Sequence, residues 1–346
     1  MKKICVCAHF GEGKELLNGQ SIKAKIIVKE IERQIGKDQV MRIDTYDRFL
    51  VIIRLIPLVL QALLTCENFI IMPGENGLRF FVPFIWLFNS LLRRKVYYVV
   101  IGGWLHTFLQ NHKFIKKRLN GYDCIYVETQ RMKIDLEREG FHNIVILPNC
   151  KELDIISEDE LTYISEAPYK LCTFSRVLKE KGIEDAVQSV KNVNNYNNKT
   201  IYSLDIYGQV DPAYEDQFMK LSESFPSYIK YMGTVPFDHT TVVIKDYFAM
   251  LFPTYYEGEG FAGCLIDAFS SGVPVIASDW KYNGEFVDNQ VGYLFKAQDV
   301  AALTELLDQI KDNVDETNMK KVACLKRAYQ YTSEAVIGII IDRISG

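Results

Sequence analysis

The chain has 346 residues, enough for two domains of ordinary size, and is 48% hydrophobic and 24% charged. That composition excludes a disordered or fibrous chain, and a formal net charge of −4 argues against a nucleic-acid partner. The charge is uneven: residues 1–150 hold 22 Lys and Arg against 14 Asp and Glu, the remainder 18 against 30, so the two halves are expected to meet different partners.

Residues 1–10 read as a short buried strand in which Cys5 and Cys7 share a face. Its apolar run, Ile4 to Ala8, is too short for the core of a signal peptide. A glycine-containing loop (Gly11, Gly13, Gly19) follows, then a helix from about Gln20 to Gln34. Strand, glycine loop and helix open a nucleotide-binding βα unit. The glycines do not form G-x-G-x-x-G, which argues against an NAD-type oxidoreductase. The longest apolar stretch, Phe49 to Thr65, is broken by Arg54, Pro57 and Gln61 and falls short of the roughly 20 apolar residues a membrane span needs. Eight cysteines without a C-x-x-C pair or zinc spacing read as free thiols in a reducing compartment, and a cytoplasmic location is expected.

Phe69–Met72, Val96–Ile101, Ile125–Val127 and Ile144–Leu147 are predicted buried parallel strands. The acidic segment from Lys151 to Pro168 reads as a linker. A second series follows, with strands at Leu171–Phe174, Ser203–Tyr207, Tyr231–Met232, Phe248–Phe252, Val273–Ala277 and Gly292–Phe295, and helices at Ile183–Lys191 and Asp299–Lys311. Two such series predict an α/β chain with two doubly wound parallel sheets. The expected domains are 1–160 and 161–330, with a helix over about 330–346 packing back on the first. Ligands then belong beyond the carboxyl ends of the strands.

Tyr255 to Val287 carries the chemistry. An apolar strand ends at Pro253, an acidic glycine-rich loop follows, a helix spans about Gly263 to Ser271, and Gly272 leads into another strand. Backbone N–H groups at the start of that helix, from Gly263, Cys264 and Leu265, make a diphosphate site. Glu259 before the helix and Asp267 on its second turn are placed to accept hydrogen bonds from sugar and ribose hydroxyls. Upstream, Arg176 and Lys181 follow a strand and precede a helix, where cations would neutralise a leaving diphosphate.

E-G-F-A-G-C-L-I-D-A-F-S-S-G-V-P-V-I-A-S, from Glu259 to Ser278, resembles the signature of the retaining GT-B glycosyltransferases of family 4, the group 1 glycosyltransferases of bacterial polysaccharide synthesis. F-S-R-V-L-K-E-K-G-I-E-D-A, from Phe174 to Ala186, is similar to a second motif of that family. The resemblance implies two Rossmann-like domains facing a cleft, with the sugar donor on the C-terminal one. It assigns Glu259 to the donor hexose, Arg176 and Lys181 to the diphosphate and Asp267 to the ribose; this last is a departure, because the family has glutamate there. It further points to Thr234 beside the base, Glu285 near the donor pocket, Gly19 near the diphosphate and His106, in I-G-G-W-L-H, near the sugar. His9 is a lesser candidate.

No D-x-D occurs, so metal-independent chemistry without a cofactor is expected, with a UDP- or GDP-sugar as donor and a glycan or undecaprenyl-linked glycan as acceptor. The alternative is a non-catalytic nucleotide-sugar sensor or partner subunit. The basic and aromatic stretches at residues 80–95 and 112–119 further suggest peripheral attachment to an anionic membrane face.

Overall fold

The computed structural model describes residues 2–11, 13, 19–46, 51–236 and 239–345. Phe49 and Leu50 at the head of the long apolar stretch, most of the loop between Gly13 and Gly19, and Gly346 lie outside the described residues. The chain divides into two units, residues 1–152 with 331–346, and residues 153–330.

In the first unit the order is β1 (Lys2–Ala8), α1 (Gly19–Ile35), β2 (Val40–Asp44), α2 (Val51–Thr65), β3 (Cys66–Ile71), α3 (Glu75–Leu92), β4 (Lys95–Val99), α4 (Leu105–Gln110), α5 (Lys113–Leu119), β5 (Cys124–Val127), α6 (Gln130–Arg138) and β6 (Ile144–Ile146). The second unit holds β7 (Tyr169–Phe174), α7 (Ile183–Tyr196), β8 (Tyr202–Tyr207), α8 (Glu215–Glu223), β9 (Ile229–Gly233), α9 (Thr240–Ile244), β10 (Ala249–Phe252), α10 (Gly263–Ser270), β11 (Val275–Asp279), α11 (Asn283–Phe286), β12 (Gly292–Lys296), α12 (Val300–Lys311) and α13 (Val314–Ala328). A last helix, α14 (Ser333–Ser345), returns to the first unit, where Val336, Ile337, Ile340 and Ile344 pack with Ala24, Ile27 and Ile31 of α1.

Each unit is one six-stranded sheet, ordered β2-β1-β3-β4-β5-β6 and β12-β11-β10-β7-β8-β9. Every pairing is parallel. The apolar runs demand this, because a strand covered by helices on both faces has no solvent side to alternate with; Cys124 to Val127 of β5 are all buried. The chain direction across the second sheet reverses between β7 and β10, and across the first between β1 and β3. Loops leaving such neighbours diverge to opposite faces and open a crevice at the carboxyl edge.

The unit boundary falls at 152/153, eight residues before the expected 160/161. Ile156 and Leu161 explain the shift: they pack on Leu325, and the Ile156 amide donates to the Ser270 carbonyl at 3.1 Å. The acidic segment is therefore part of the second unit rather than a linker. All eight cysteines are free. Among the described residues, no helix is long and apolar enough to cross a membrane.

Gly272 ends α10 with φ 63°, and the Val273 amide closes onto the Ala268 carbonyl at 2.8 Å. A Cβ at Gly272 would stand 2.2 Å from Leu161 Cδ2, so only glycine makes this turn without displacing the core. Behind α10 lies Lys321 of α13, fully buried, whose Nζ donates to the Tyr247 carbonyl at 3.0 Å. Burial pulls its ammonium down to about 8. The unfolded chain, with an ordinary lysine near 10.4, binds more protons between those values, so the cost of burying the charge is full below pH 8 and fades as pH rises. Urea unfolding of the natural chain and of Lys321→Met should show the natural chain gaining on the order of 3 kcal/mol relative to the variant between pH 8 and 10.5. Parallel curves for the two proteins would show that Lys321 is charged as readily in the fold as in water.

Candidate functional site

The crevice between β7 and β10 collects the second unit's functional side chains. β7 ends at Phe174 and β10 at Phe252, and the loops that leave them are sewn together. The Tyr255 amide donates to the Glu180 carbonyl at 2.7 Å, and Thr254 Oγ1 lies 3.3 Å from the same carbonyl. Gly182 permits the approach. It holds φ 71°, and a Cβ there would lie 2.2 Å from the Pro253 carbonyl oxygen. That glycine also starts α7, whose Ile183, Ala186, Val187 and Val190 anchor it in the core.

The result is a buried ion pair between the two loops. Lys181 Nζ lies 2.5 Å from Glu259 Oε2, with the side chains 10% and 9% exposed. Thr254 Oγ1 donates to the same carboxylate oxygen at 2.9 Å. Lys181 Nζ also stands 5.2 Å from the centre of the Tyr256 ring, and the Arg176 guanidinium stands 6.0 Å from that ring, so one aromatic face neighbours both cations. Arg176 is 56% exposed, and its Nη1 lies 3.9 Å from Asp211 Oδ2.

The acidic loop is held from the other side by the segment after β11. Trp280 Nε1 donates to the Tyr256 carbonyl at 3.0 Å, Lys281 pairs with Glu257 at 2.7 Å, and Phe261 stacks on Phe286 at 3.7 Å. Ser278 Oγ donates to the Thr254 carbonyl at 2.5 Å. Beside the loop, burial together with the carboxylates of Asp185, Glu180 and Glu184 pushes the Tyr255 phenol up, so it stays neutral.

α10 begins at the same edge. Leu265, Ile266, Ala268 and Phe269 are fully buried, each worth up to about 1.5–3 kcal/mol of burial for the larger side chains, which fixes the helix start in space. Ala262 at the N-cap supplies no side-chain cap. Gly263 and Cys264 are half-buried there, but the Leu265 amide, expected to face a ligand, donates to the Ala262 carbonyl at 3.1 Å. Asp267 is 6% exposed, so neither it nor Glu259 belongs to a solvated face, whereas Glu257 does. Thr234 is exposed just past the carboxyl end of β9, and Glu285 is exposed on α11.

In the first unit, Gly19 opens α1, and next to it Gln20 Nε2 donates to the Met72 carbonyl at 3.3 Å, across the exit of β3. The His9 ring lies 5.1 Å from that of Tyr46. His106 is on the first turn of α4, and its Nδ1 stands 2.8 Å from Glu139 Oε1, with Lys116 Nζ 2.7 Å from the other oxygen of that carboxylate. Glu139 follows the end of α6, a nine-residue helix that starts at the exit of β5 and so spans about 13 Å. The imidazole is thus engaged by a carboxylate that lies one helix length beyond the exit of β5. Sequence reasoning also missed Thr254, Tyr256 and the buried pair formed by Lys23 and Glu128, 2.6 Å apart. A hydroxyl residue directly after a strand and before an acidic loop is a signal for the first; nothing in the spacing of the last pair announces it.

Residues 168–313 match the family model described as glycosyl transferases group 1. The GtfA subunit of the UDP-N-acetylglucosamine–peptide N-acetylglucosaminyltransferase of Streptococcus gordonii is 30% identical over 178 residues, covering 50% of this chain and 33% of the relative, so the match spans about a third of that protein. Among solved structures, Anabaena HepE in complex with UDP superposes with a TM-score of 0.77 at 12% identity over 100% of both chains. The pneumococcal O-GlcNAc transferase GtfA in complex with UDP and GlcNAc gives 0.63 at 17% identity, over 83% of this chain and 58% of that one. Both are likenesses of fold, the two-sheet GT-B architecture. The segment that carries the Lys181–Glu259 pair and the start of α10, residues 168–313, is a domain of the glycosyl transferases group 1 family.

Proposed function

We propose that this chain transfers a hexose or N-acetylhexosamine from a UDP-sugar to a glycan or lipid-linked glycan acceptor, with retention at the anomeric carbon and without a metal ion or cofactor. One observation carries the reading: a lysine and a glutamate, each about nine-tenths buried, meet at the crevice where the sheet reverses, beside a helix start that offers amides. Without ligand the two charges satisfy each other. A donor replaces both halves of the contact. Its diphosphate takes Lys181, Arg176 and the Gly263 end of α10, while its sugar hydroxyls donate to the released Glu259.

As the bond to the sugar breaks, negative charge grows on the diphosphate, and cations fixed in a crevice stabilise that charge without reorganising. Asp267 is assigned to the ribose, Thr234 to the base and Glu285 to the pocket rim. Uridine is favoured over guanosine because the S. gordonii relative is named for UDP-N-acetylglucosamine and the HepE and GtfA structures hold UDP. Eight free cysteines suit a reducing compartment. Acceptor binding is assigned to the first unit, and its exposed Leu87, Leu91 and Phe114 beside Arg93 and Lys113 suit peripheral attachment to an anionic bilayer.

UDP at a hundredfold excess over its dissociation constant stabilises by about 2.7 kcal/mol and should raise the melting temperature by roughly 5–10 °C, with GDP doing markedly less. Glu259→Gln should keep UDP binding but lower kcat/KM for the sugar donor by about 10²–10³. Lys181→Met strands a buried carboxylate and should cost about 3 kcal/mol of stability as well as donor affinity. No shift with UDP, and full activity in the Glu259 variant, would sink the reading. His106, held by Glu139, is assigned a structural tie: His106→Ala should leave turnover within about threefold and cost about 1 kcal/mol of stability, and a loss of several orders in kcat would return it to the catalytic set. Flotation with anionic vesicles at low salt tests the membrane assignment, and protein left at the bottom of the gradient removes it.

A further inference from the structure

The first unit has a second concavity, at the edge of its sheet opposite the strand carboxyl ends. An open recess of about 250 Å³ is lined by Trp86 and Asn89 of α3, Arg94 at the entry to β4, Lys117 and Arg118 of α5, and Tyr122 at the entry to β5. Three cations face one acid in this lining, Asp123, whose Oδ2 already accepts the Val96 amide at 2.7 Å. Arg94 spends its Nε and Nη2 on the Leu63 and Leu64 carbonyls, at 2.8 and 3.3 Å, neutral acceptors that leave its charge uncancelled.

Among the described residues, no carboxylate pairs with Arg118. Its guanidinium lies 3.9 Å from the centre of the Trp86 ring and 5.2 Å from that of Phe114, and its Nε is buried without a hydrogen-bond partner. Tyr122 is 8% exposed, and its hydroxyl is likewise buried and unpartnered. Burial alone pushes that phenol far up, so it remains a donor at any working pH. The recess thus gathers three cations against one carboxylate that is already engaged, an excess of positive charge that an anion would offset. A guanidinium stacked on an indole is oriented in advance for the oxygens of a phosphate, with Lys117 adding a point charge. On α3, the helix that supplies Trp86 and Asn89, Leu87 and Leu91 are 57% and 86% exposed, apolar surface suited to acyl chains.

We propose that this recess binds a phosphate ester, carried either by an anionic lipid headgroup or by a soluble phosphorylated compound, with Arg118 as its principal ligand and Lys117 and Arg94 as supporting charges. The proposal is independent of the donor-site reading, since it concerns the other unit and the opposite edge of that unit's sheet.

The chain has three tryptophans, Trp86, Trp104 and Trp280. Replacing Trp104 and Trp280 by Phe leaves Trp86 as the sole reporter under Arg118 and makes the donor site silent. Pyrophosphate, and separately phosphatidylcholine vesicles with and without phosphatidylglycerol, are titrated into this protein. A saturable change in Trp86 emission is expected, with its midpoint raised at least tenfold in Arg118→Gln and severalfold in Lys117→Ala. A response to pyrophosphate alone assigns the soluble source. A response to phosphatidylglycerol vesicles that pyrophosphate competes away assigns the lipid, and either supports the site. No response to either ligand overturns it, as does a response that Arg118→Gln and Lys117→Ala leave unchanged while circular dichroism shows both folded.

Discussion

Lys181 and Glu259 stand on loops that leave neighbouring strands of one sheet, 78 residues apart in sequence, and meet at 2.5 Å with about a tenth of each side chain exposed. Two charges this far from water are tolerable only together, since removing either partner from such a pair costs about 3–5 kcal/mol. The contact therefore dictates the geometry around it. Gly182 has to be glycine, so that the first loop passes within reach of the Pro253 carbonyl. The Tyr255 amide has to turn back onto the Glu180 carbonyl, and Thr254 has to present its hydroxyl to the Glu259 carboxylate. Further out, Trp280, Ser278 and the Phe261–Phe286 stack keep the acidic loop from swinging away. The site is organised before any ligand arrives, because the folded chain needs the pair closed.

Preorganisation of this kind has a chemical consequence. A lysine already paired with a carboxylate is a poor anion trap unless the incoming ligand also satisfies the carboxylate. A nucleoside diphosphate without its sugar can use Arg176 and the start of α10 while the pair stays closed, whereas a sugar alone would strand Lys181. A molecule that brings an anion and hydroxyl donors side by side satisfies both, which is why the proposed donor is a diphosphate joined to a sugar. Arg176, far more exposed and only 3.9 Å from Asp211, adds charge without setting this condition.

What the sequence disclosed follows from how local each signal is. Buried parallel strands announce themselves as short apolar runs, and eleven of the twelve were legible. β2 was not, because Val40–Asp44 is an edge strand with one face half-open, and its V-M-R-I-D carries no continuous apolar run. Glu259, Lys181 and the start of α10 were legible because motif and topology agree on them. That Lys181 and Glu259 grip each other was not, since the contact depends on a crossover that no spacing encodes. The domain boundary was misplaced for the same reason: Ile156 and Leu161 look like isolated apolar residues in an acidic segment until Leu325, far along the chain, covers them. For His106 the position was read and its partner was not, because a contact with Glu139, just past the end of α6, is a tertiary fact.

The first unit holds an ion pair of similar chemistry, and the difference between the two is instructive. Lys23 of α1 and Glu128 at the exit of β5 lie 2.6 Å apart, but their side chains are only 2% and 3% exposed. Cys150 beside them is pushed up to about 11, chiefly by burial, the Lys23 charge opposing and the Glu128 charge reinforcing that shift. With water excluded on all sides, neither charge can exchange its partner for a ligand without first opening the core, so this pair can only lock α1 to the sheet. The Lys181–Glu259 pair retains about a tenth of its surface. The chemistry of the residues is the same in both places. Access, set by which loops the sheet order brings together, separates a strut from a site at which partners can be exchanged.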